Sequence, residues 1–343
     1  MMNVPKQQKA IVFNTKKNSL SFTDSAPIVI AADELLIKVH STAITNGELN
    51  WGSFINWPEE QIPCYDVSGT VISIPTVSGP SHNFREGDKV FGRIMANRRG
   101  AAQEYASILP SEAALVPKGL DMDSAACVPM SAHTAWQAIF EKGLLTGSFT
   151  PTSVPHVNSV GETVLNQARG KRVLVLGAAG GVGLLGVQFA KLAGAFVAGT
   201  ASAKNEDFLK GLNVDAVIDY TKLSIAEYVS SNDKFDIVFD CVGGKSMLDG
   251  WSGIKDSGVY VSVVPGFTEP EGGKPIGVRT EWFVMEPRSE ELAGISRFFE
   301  KGMLKVSVDS VWKLEEFREA FGKTATGHAR GKVVLKVSDG EEE

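Results

Sequence analysis

The stretch Arg172-Val173-Leu174-Val175-Leu176-Gly177-Ala178-Ala179-Gly180-Gly181-Val182-Gly183 decides the fold of this chain. Its first part is a continuous apolar run, the pattern of a strand buried on both faces. Glycines then crowd the turn, and 182–192 reads as a helix with apolar faces. Such a turn brings backbone N–H groups and a helix N-terminus against an anionic pyrophosphate, where a side chain would block the approach. Gly183 lets the helix pack on the sheet. A glycine-rich turn without a ligand is the plainer alternative. Here, though, strand, turn, helix and next strand follow in order, which makes the motif strong.

Working outward, strands are expected at 195–200, 216–219, 236–241 and 258–264, and helices at 206–212 and 225–229. Apolar strands alternating with helices mean an α/β domain, a doubly wound parallel sheet covered on both faces. Residues 1–123 have a different texture. Runs of strand length at 9–13, 34–40, 89–92 and 100–108 are broken by Gly, Pro and Asn, as in an irregular β domain or partly open barrel. A helix over 131–142 leads out of it. Helices at 290–301 and 314–321 and a strand at 332–337 return to a mixed texture. The reading is a β-rich domain, 1–123 and 267–343, split by a parallel-sheet domain at 124–266. Residues 147–170, with Pro151, Pro155 and His156, read as a surface insertion, and 267–277 as a loop.

Composition excludes several classes. The chain has 343 residues, 43% hydrophobic and 22% charged, which rules out disorder and fits about two domains. Net charge is −6, and the one adjacent arginine pair, Arg98-Arg99, makes no basic footprint for nucleic acid. The acidic run at 339–343 reads as a solvated tail. Cys64, Cys127 and Cys241 are sparse and odd in number, so a reducing compartment fits better than a disulfide framework. No Cys-x-x-Cys occurs to hold a structural zinc. With neither a secretory signal nor a run of about 20 apolar residues, the expected location is cytoplasmic, with no membrane partner.

The second strand names the expected dinucleotide. An NAD site places an Asp or Glu about 20 residues beyond the glycines, on the ribose hydroxyls. This chain has Gly199-Thr200-Ala201-Ser202-Ala203-Lys204-Asn205 there. Small hydroxyls and a lysine suit a 2′-phosphate, so NADPH is the expected cofactor. The plainer reading makes Ser202 a helix cap and Lys204 a solvated charge.

Motifs along nearly the whole chain resemble the medium-chain dehydrogenase/reductase superfamily, and within it the zinc-independent NADPH:quinone oxidoreductase-like and enoyl reductase-like branch. They are Ile44-Thr45-Asn46-Gly47-Glu48-Leu49-Asn50-Trp51, Pro63-Cys64-Tyr65-Asp66-Val67-Ser68-Gly69, Glu86-Gly87-Asp88-Lys89-Val90-Phe91-Gly92 and Thr134-Ala135-Trp136. The glycine turn, Val217-Ile218-Asp219-Tyr220, Phe239-Asp240-Cys241-Val242-Gly243-Gly244 and Gly327-His328-Ala329-Arg330-Gly331-Lys332-Val333-Val334 complete the set. The resemblance implies a Rossmann domain inside a split, GroES-like catalytic domain, with the active site in the cleft between them. The catalytic-zinc ligands of the family's alcohol dehydrogenases fall at Thr45, Tyr65 and Met130, no plausible set for zinc. Ala179, Gly180, Gly181 and Val182 should meet the pyrophosphate, and Thr200, Ser202 and Lys204 the 2′-phosphate. Tyr220 should lie near the adenosine. Cys241, Val242 and Val264 should line the cofactor site, with Asn46 and Thr134 beside the nicotinamide. Arg330 and Lys332 are candidates to reach the phosphates, and Phe283-Val284-Met285-Glu286-Pro287 looks like the family's cleft-side strand. Departures are Cys64, where the branch often has Gly, and the length of 147–170. Relatives often pair through the cofactor domain, so the resemblance implies a homodimer.

Without a metal, the acceptor must already be electrophilic, as conjugated enones, enals, polyketide-type enoyl groups and quinones are. Catalysis then rests on positioning and on polarisation of a carbonyl. Tyr65 is the candidate acid, with packing as its equal alternative. Asn46 and Thr45 are candidates to polarise the carbonyl. Asp66 and Glu48 read as structural hydrogen bonders, and Cys127 and Cys241 as small buried residues. His40, His82, His133, His156 and His328 stand in no metal-ligand spacing. The alternative from another class is an NADPH-binding sensor or assembly protein with little turnover.

Overall fold

The computed structural model describes residues 4–76, 82–145 and 166–338. The tail at 339–343 and most of the expected insertion at 147–170 lie outside the described residues. Contacts divide the chain into one unit of Met1–Met130 with Pro287–Glu343 and another of Ser131–Glu286.

In the first unit, β1 (Gln7–Asn14) pairs with β2 (Ser19–Pro27), and also with the short β4 (Glu60–Gln61), following β3 (Leu35–Ile44) in the chain. The larger, seven-stranded sheet joins β3 to β5 (Asp66–Ser73), β6 (Lys89–Arg93), β7 (Tyr105–Ile108) and β8 (Ala113–Leu115). Two strands from the far end of the chain, β15 (Val308–Lys313) and β16 (Lys332–Lys336), complete it, with β16 antiparallel to β3. The C-terminal strand is thus built into the sheet of the N-terminal residues. β3 is buried along most of its length even though Lys38, His40, Ser41 and Thr42 interrupt its apolar residues. Helix α1 (Met122–Ala126) packs on β3 and β5, its first turn held by Ser124 N donating to Asp121 Oδ1 at 2.8 Å.

Helix α2 (Pro129–Trp136) runs across the division between the units and continues as a π-wound turn over Gln137–Lys142, closed by Gly143 N donating to Ala138 O at 2.8 Å. The helix expected over 131–142 is therefore present, but its second half is wound differently.

The second unit is built on a six-stranded, all-parallel sheet. In chain order its elements are β9 (Arg172–Leu176), α3 (Gly181–Leu192), β10 (Phe196–Ala201), α4 (Glu206–Lys210), β11 (Ala216–Asp219) and α5 (Ile225–Val229). They continue with β12 (Phe235–Asp240), α6 (Gly244–Gly250), β13 (Ile254–Ser262) and β14 (Arg279–Trp282). The strand order is β11-β10-β9-β12-β13-β14, which reverses direction between β9 and β12. This is the Rossmann order, and its ligand position is the crevice beyond the carboxyl ends of the strands at the reversal. The apolar runs are explained by burial: Val173, Leu174, Val175 and Leu176 are all fully covered.

Beyond β14, helix α7 (Ser289–Glu300) and helix α8 (Phe317–Ala325) belong to the first unit. The fold class is α/β, a Rossmann sheet together with a β-rich unit. The divisions fall at Met130/Ser131 and Glu286/Pro287, where the sequence reading put them at 123/124 and 266/267. The larger shift has a cause: β14 pairs in parallel with β13, so 279–282 completes the parallel sheet. The strand expected at 283–287 is absent. β14 ends at Trp282, and Glu286 instead exchanges two hydrogen bonds with the Gln137 side chain, at 2.8 and 3.0 Å. Phe283 is buried against Lys142, whose ammonium lies 5.8 Å from the ring centroid, while Val284 is exposed.

Candidate active site

The glycine turn after β9 has the geometry its sequence requires. Gly177 sits at φ +77°, a conformation side chains rarely adopt. A Cβ on Gly183 would lie 2.2 Å from the Gly177 carbonyl oxygen, so the first turn of α3 can close on the strand only with glycine there. No side chain caps α3, whose N-cap is Gly180. A helix N-terminus left open by glycine is a fitting cradle for a pyrophosphate. Ala179, Gly180, Gly181 and Val182 all stand in this turn.

Thr200 holds the turn from behind. Its hydroxyl accepts from Gly177 N at 3.0 Å, its carbonyl accepts from Ala178 N at 3.0 Å, and the side chain is buried. The hydroxyl is thus engaged as an acceptor by the backbone, with its own proton left to donate. Ser202 and Lys204 lie just past the end of β10, Ser202 half-buried with no cap bond from its side chain and Lys204 exposed. Tyr220, just past β11, is exposed.

The turn after β12 is organised by Asp240, which the sequence reading did not single out as a site residue. Its Oδ1 accepts from Val242 N and Gly243 N, both at 2.9 Å, and its Oδ2 accepts from Ser262 Oγ at 2.8 Å. The Asp-x-x-Gly spacing at 240–243, an Asx-turn signature, was the available signal. This turn adjoins the glycine turn: a Cβ on Gly177 would meet Val242 Cγ2 at 2.6 Å, and one on Gly243 would meet Val264 Cγ1 at 2.8 Å. Cys241 starts the turn, and burial, then the neighbouring Asp240 charge, pushes its thiol well above the ordinary value. The second unit thus brings Ala179, Gly180, Gly181, Val182, Cys241, Val242 and Val264 to the carboxyl ends of β9, β12 and β13. Thr134 is buried on α2.

In the first unit, the positions matched to zinc ligands hold other chemistry. Thr45 Oγ1 lies 3.2 Å from Met130 Sδ and accepts from Lys332 Nζ at 2.9 Å. Lys332 is also 3.2 Å from Asp66 Oδ2, and both residues are buried. Lys332 is thus fixed inside this unit, which corrects the expectation that it reaches cofactor phosphates. A hydroxyl, a phenol and a thioether beside an ammonium do not fit Zn²⁺, which takes thiolate, imidazole or carboxylate. Among the described residues no group of His, Cys, Asp and Glu could hold a metal ion.

Tyr65 is a core residue. Its ring stacks between Trp51 and Trp57, with centroids at 5.7 and 6.1 Å, and its hydroxyl accepts from Gln61 Nε2 at 3.0 Å. It is 1% exposed, and burial pushes the phenol far above its ordinary value. A phenol so placed has no path to a substrate, so the expectation of Tyr65 as acid gives way to its packing alternative. The buried Arg93 guanidinium lies over the same ring, 5.0 Å from its centroid.

Glu48 acts as an internal clamp: Oε2 accepts from Thr45 N at 3.0 Å and Oε1 from Cys64 N at 2.9 Å. Burial raises its carboxyl above the ordinary value, against these hydrogen bonds and the Lys332 charge. The clamp holds Thr45 half-buried, and Asn46 beside it is exposed. Arg330 is exposed, and its backbone N donates to Asp309 Oδ1 at 2.8 Å.

Fold and turn together define a dinucleotide-binding protein of the Rossmann class. Residues 212–335 match the family model described as zinc-binding dehydrogenase. The chain is 41% identical over 314 residues to a probable zinc-binding mitochondrial oxidoreductase of Arthroderma benhamiae, covering 89% of this chain and 88% of that one. It is 30% identical over 351 residues to an NADPH-dependent alkenal/one oxidoreductase, chloroplastic, of Arabidopsis thaliana, covering 97% and 80%. The quinone oxidoreductase structure from Coxiella burnetii superposes with a TM-score of 0.79 at 26% identity, covering 97% of this chain and all of that one.

The chain belongs to the medium-chain dehydrogenase/reductase superfamily, in its quinone oxidoreductase and alkenal/one oxidoreductase-like branch. It is an NAD(P)H-dependent oxidoreductase of that type. The cytoplasmic location expected from the sequence is overturned by this comparison, since the Arthroderma relative is named mitochondrial. Among the described residues no helix is long and apolar enough to cross a membrane.

Proposed function

We propose that this chain uses NADPH to reduce a conjugated enone or enal, or a quinone. The observation that carries the reading is the donor set at the family's metal position. Thr45 and Met130 stand there beside the Lys332 ammonium, so the acceptor must be electrophilic without a Lewis acid. The name of the Arabidopsis relative points to the same cofactor and acceptor class.

Ala179, Gly180, Gly181 and Val182 would hold the pyrophosphate with backbone N–H groups, and Ser202 and Lys204 the 2′-phosphate. The absence of a carboxylate after β10 supports NADPH over NADH, because a carboxylate would repel that phosphate. Tyr220 would cover the adenosine, with Cys241, Val242 and Val264 beside the cofactor. When bound, NADPH supplies the hydride. The chain's own contribution is orientation and polarisation: the Thr45 hydroxyl and the Asn46 amide would donate to the acceptor's carbonyl oxygen, stabilising charge that develops there. With the Tyr65 phenol enclosed, this reading takes the completing proton from water.

A panel of quinones, enals and enones, followed by NADPH absorbance with products identified by mass, tests the reading. Turnover of at least one class is expected. Tight NADPH binding with no acceptor accelerating its oxidation would overturn it.

A further inference from the structure

Lys332 is a buried cation that the proposed chemistry leaves without a task. An ammonium has no lone pair, so its 2.9 Å contact with Thr45 Oγ1 has one direction: Lys332 donates and Thr45 accepts. The single Thr45 proton must then point elsewhere. The acceptor it has is Met130 Sδ at 3.2 Å, a thioether and a weak acceptor. Donation from a cation also strengthens the hydroxyl's own donation, because successive hydrogen bonds polarise one another. The hydroxyl's proton is thus directed away from the ammonium, polarised and given a poor partner that a carbonyl oxygen would readily replace.

The ammonium is itself held in place. Asp66 Oδ2 lies 3.2 Å from Nζ, while Asp66 Oδ1 accepts from Met130 N at 2.7 Å, so one carboxylate locates both the cation and the residue bearing the sulfur. Glu48 fixes the Thr45 backbone from the other side. All of these groups belong to one unit, and three are buried.

We propose that Lys332, located by Asp66, is a positioning residue that orients and polarises the Thr45 hydroxyl as the hydrogen-bond donor to the acceptor's carbonyl oxygen. This rests on the role given to Thr45 above, and the experiment separates the two. Steady-state kinetics with an enone would be compared for T45S, T45V, the charge-neutral pair K332M/D66N, and T45V/K332M/D66N, alongside NADPH binding. T45S, which keeps the hydroxyl, should restore most of the activity that T45V loses. T45V and K332M/D66N should each lower kcat about tenfold or more with NADPH affinity kept, and the triple variant should be no worse than T45V. Full activity in T45V would overturn the role of Thr45 itself. An impaired T45V with losses that multiply in the triple variant, or with an unimpaired K332M/D66N, would overturn the positioning role of Lys332 alone.

A second readout does not depend on turnover. The carbonyl stretch of cyclohexanone bound in the presence of NADP⁺ should shift to lower frequency in the parent, and less in K332M/D66N; an equal shift in both counts against the proposal. If the neutral pair does not fold, K332Q takes its place, because an amide can accept the Thr45 proton as readily as it donates. It should lower kcat and be non-additive with T45V, and additive losses would again overturn the positioning role.

Discussion

Gly183 shows how much a single side chain can cost. A methyl there would sit 2.2 Å from the Gly177 carbonyl oxygen, backbone against which nothing flexible can yield. Gly183→Ala should destabilise the fold by about 1–3 kcal/mol, as overpacking does, and weaken NADPH binding about tenfold, equivalent to ~1.4 kcal/mol. Thermal melting and titration with NADPH check both, and unchanged values would show that the turn can relax. Thr200→Val keeps the shape but removes the partner of Gly177 N, at a cost of about 1–3 kcal/mol for an unsatisfied buried group, readable by urea unfolding. Glu48 carries a pH signature. Its folded carboxyl titrates above its ordinary value because it is buried, so in the window just above that ordinary value the unfolded chain binds fewer protons and stability falls as pH rises. Glu48→Gln lacks that loss. Its stability relative to the parent should therefore improve as pH rises above about 4.3, the ordinary carboxylate value; a difference that stays constant with rising pH would contradict the assignment. Gly183 was legible in the sequence because only glycine fits such a turn. The tasks of Thr200 and Tyr65 were not, because a hydroxyl reads alike whether it faces a ligand or its own backbone.

Among the elements, the strands read to the residue are short apolar runs, whether central like β9 or at the sheet edge like β11. β9 and β11 were found to the residue because their apolar runs have sharp polar ends. β14, Arg-Thr-Glu-Trp, went unrecognised since it lies at the sheet edge with no buried residue, and its strand character comes from pairing with β13. β2 escaped for the same reason, with mostly exposed side chains paired to β1. The turn between β12 and α6 depends on one carboxylate. Asp240→Ala should cost at least about 2 kcal/mol, since two backbone N–H groups and a buried hydroxyl lose their acceptor. Amide hydrogen exchange at Val242 and Gly243 should accelerate. Unchanged exchange there would mean the turn is held by the strands alone.

At the scale of the whole molecule, a ligand that binds only the folded chain stabilises it, by ~2.7 kcal/mol at a concentration of 100 times Kd. NADPH should therefore raise Tm more than NADH at equal concentration, and the S202A/K204A variant should close that gap. Equal shifts in the parent chain would sink the preference for NADPH. The division into units was legible because two periodicities meet along the chain, but the boundary near 286 was not, since Gln137 and Glu286 are 149 residues apart and their pairing is a tertiary event. Sequence alone determined the Rossmann unit, the dinucleotide turn and the superfamily, because burial on both faces and backbone crowding leave few residue choices. Only the tertiary structure decided that Tyr65 is core and that Lys332 faces Thr45. The first depends on Trp51, Trp57 and Gln61 closing around the ring, the second on the meeting of β16 with the end of β3, and a hydroxyl or an ammonium carries no record in the sequence of the partner it will find.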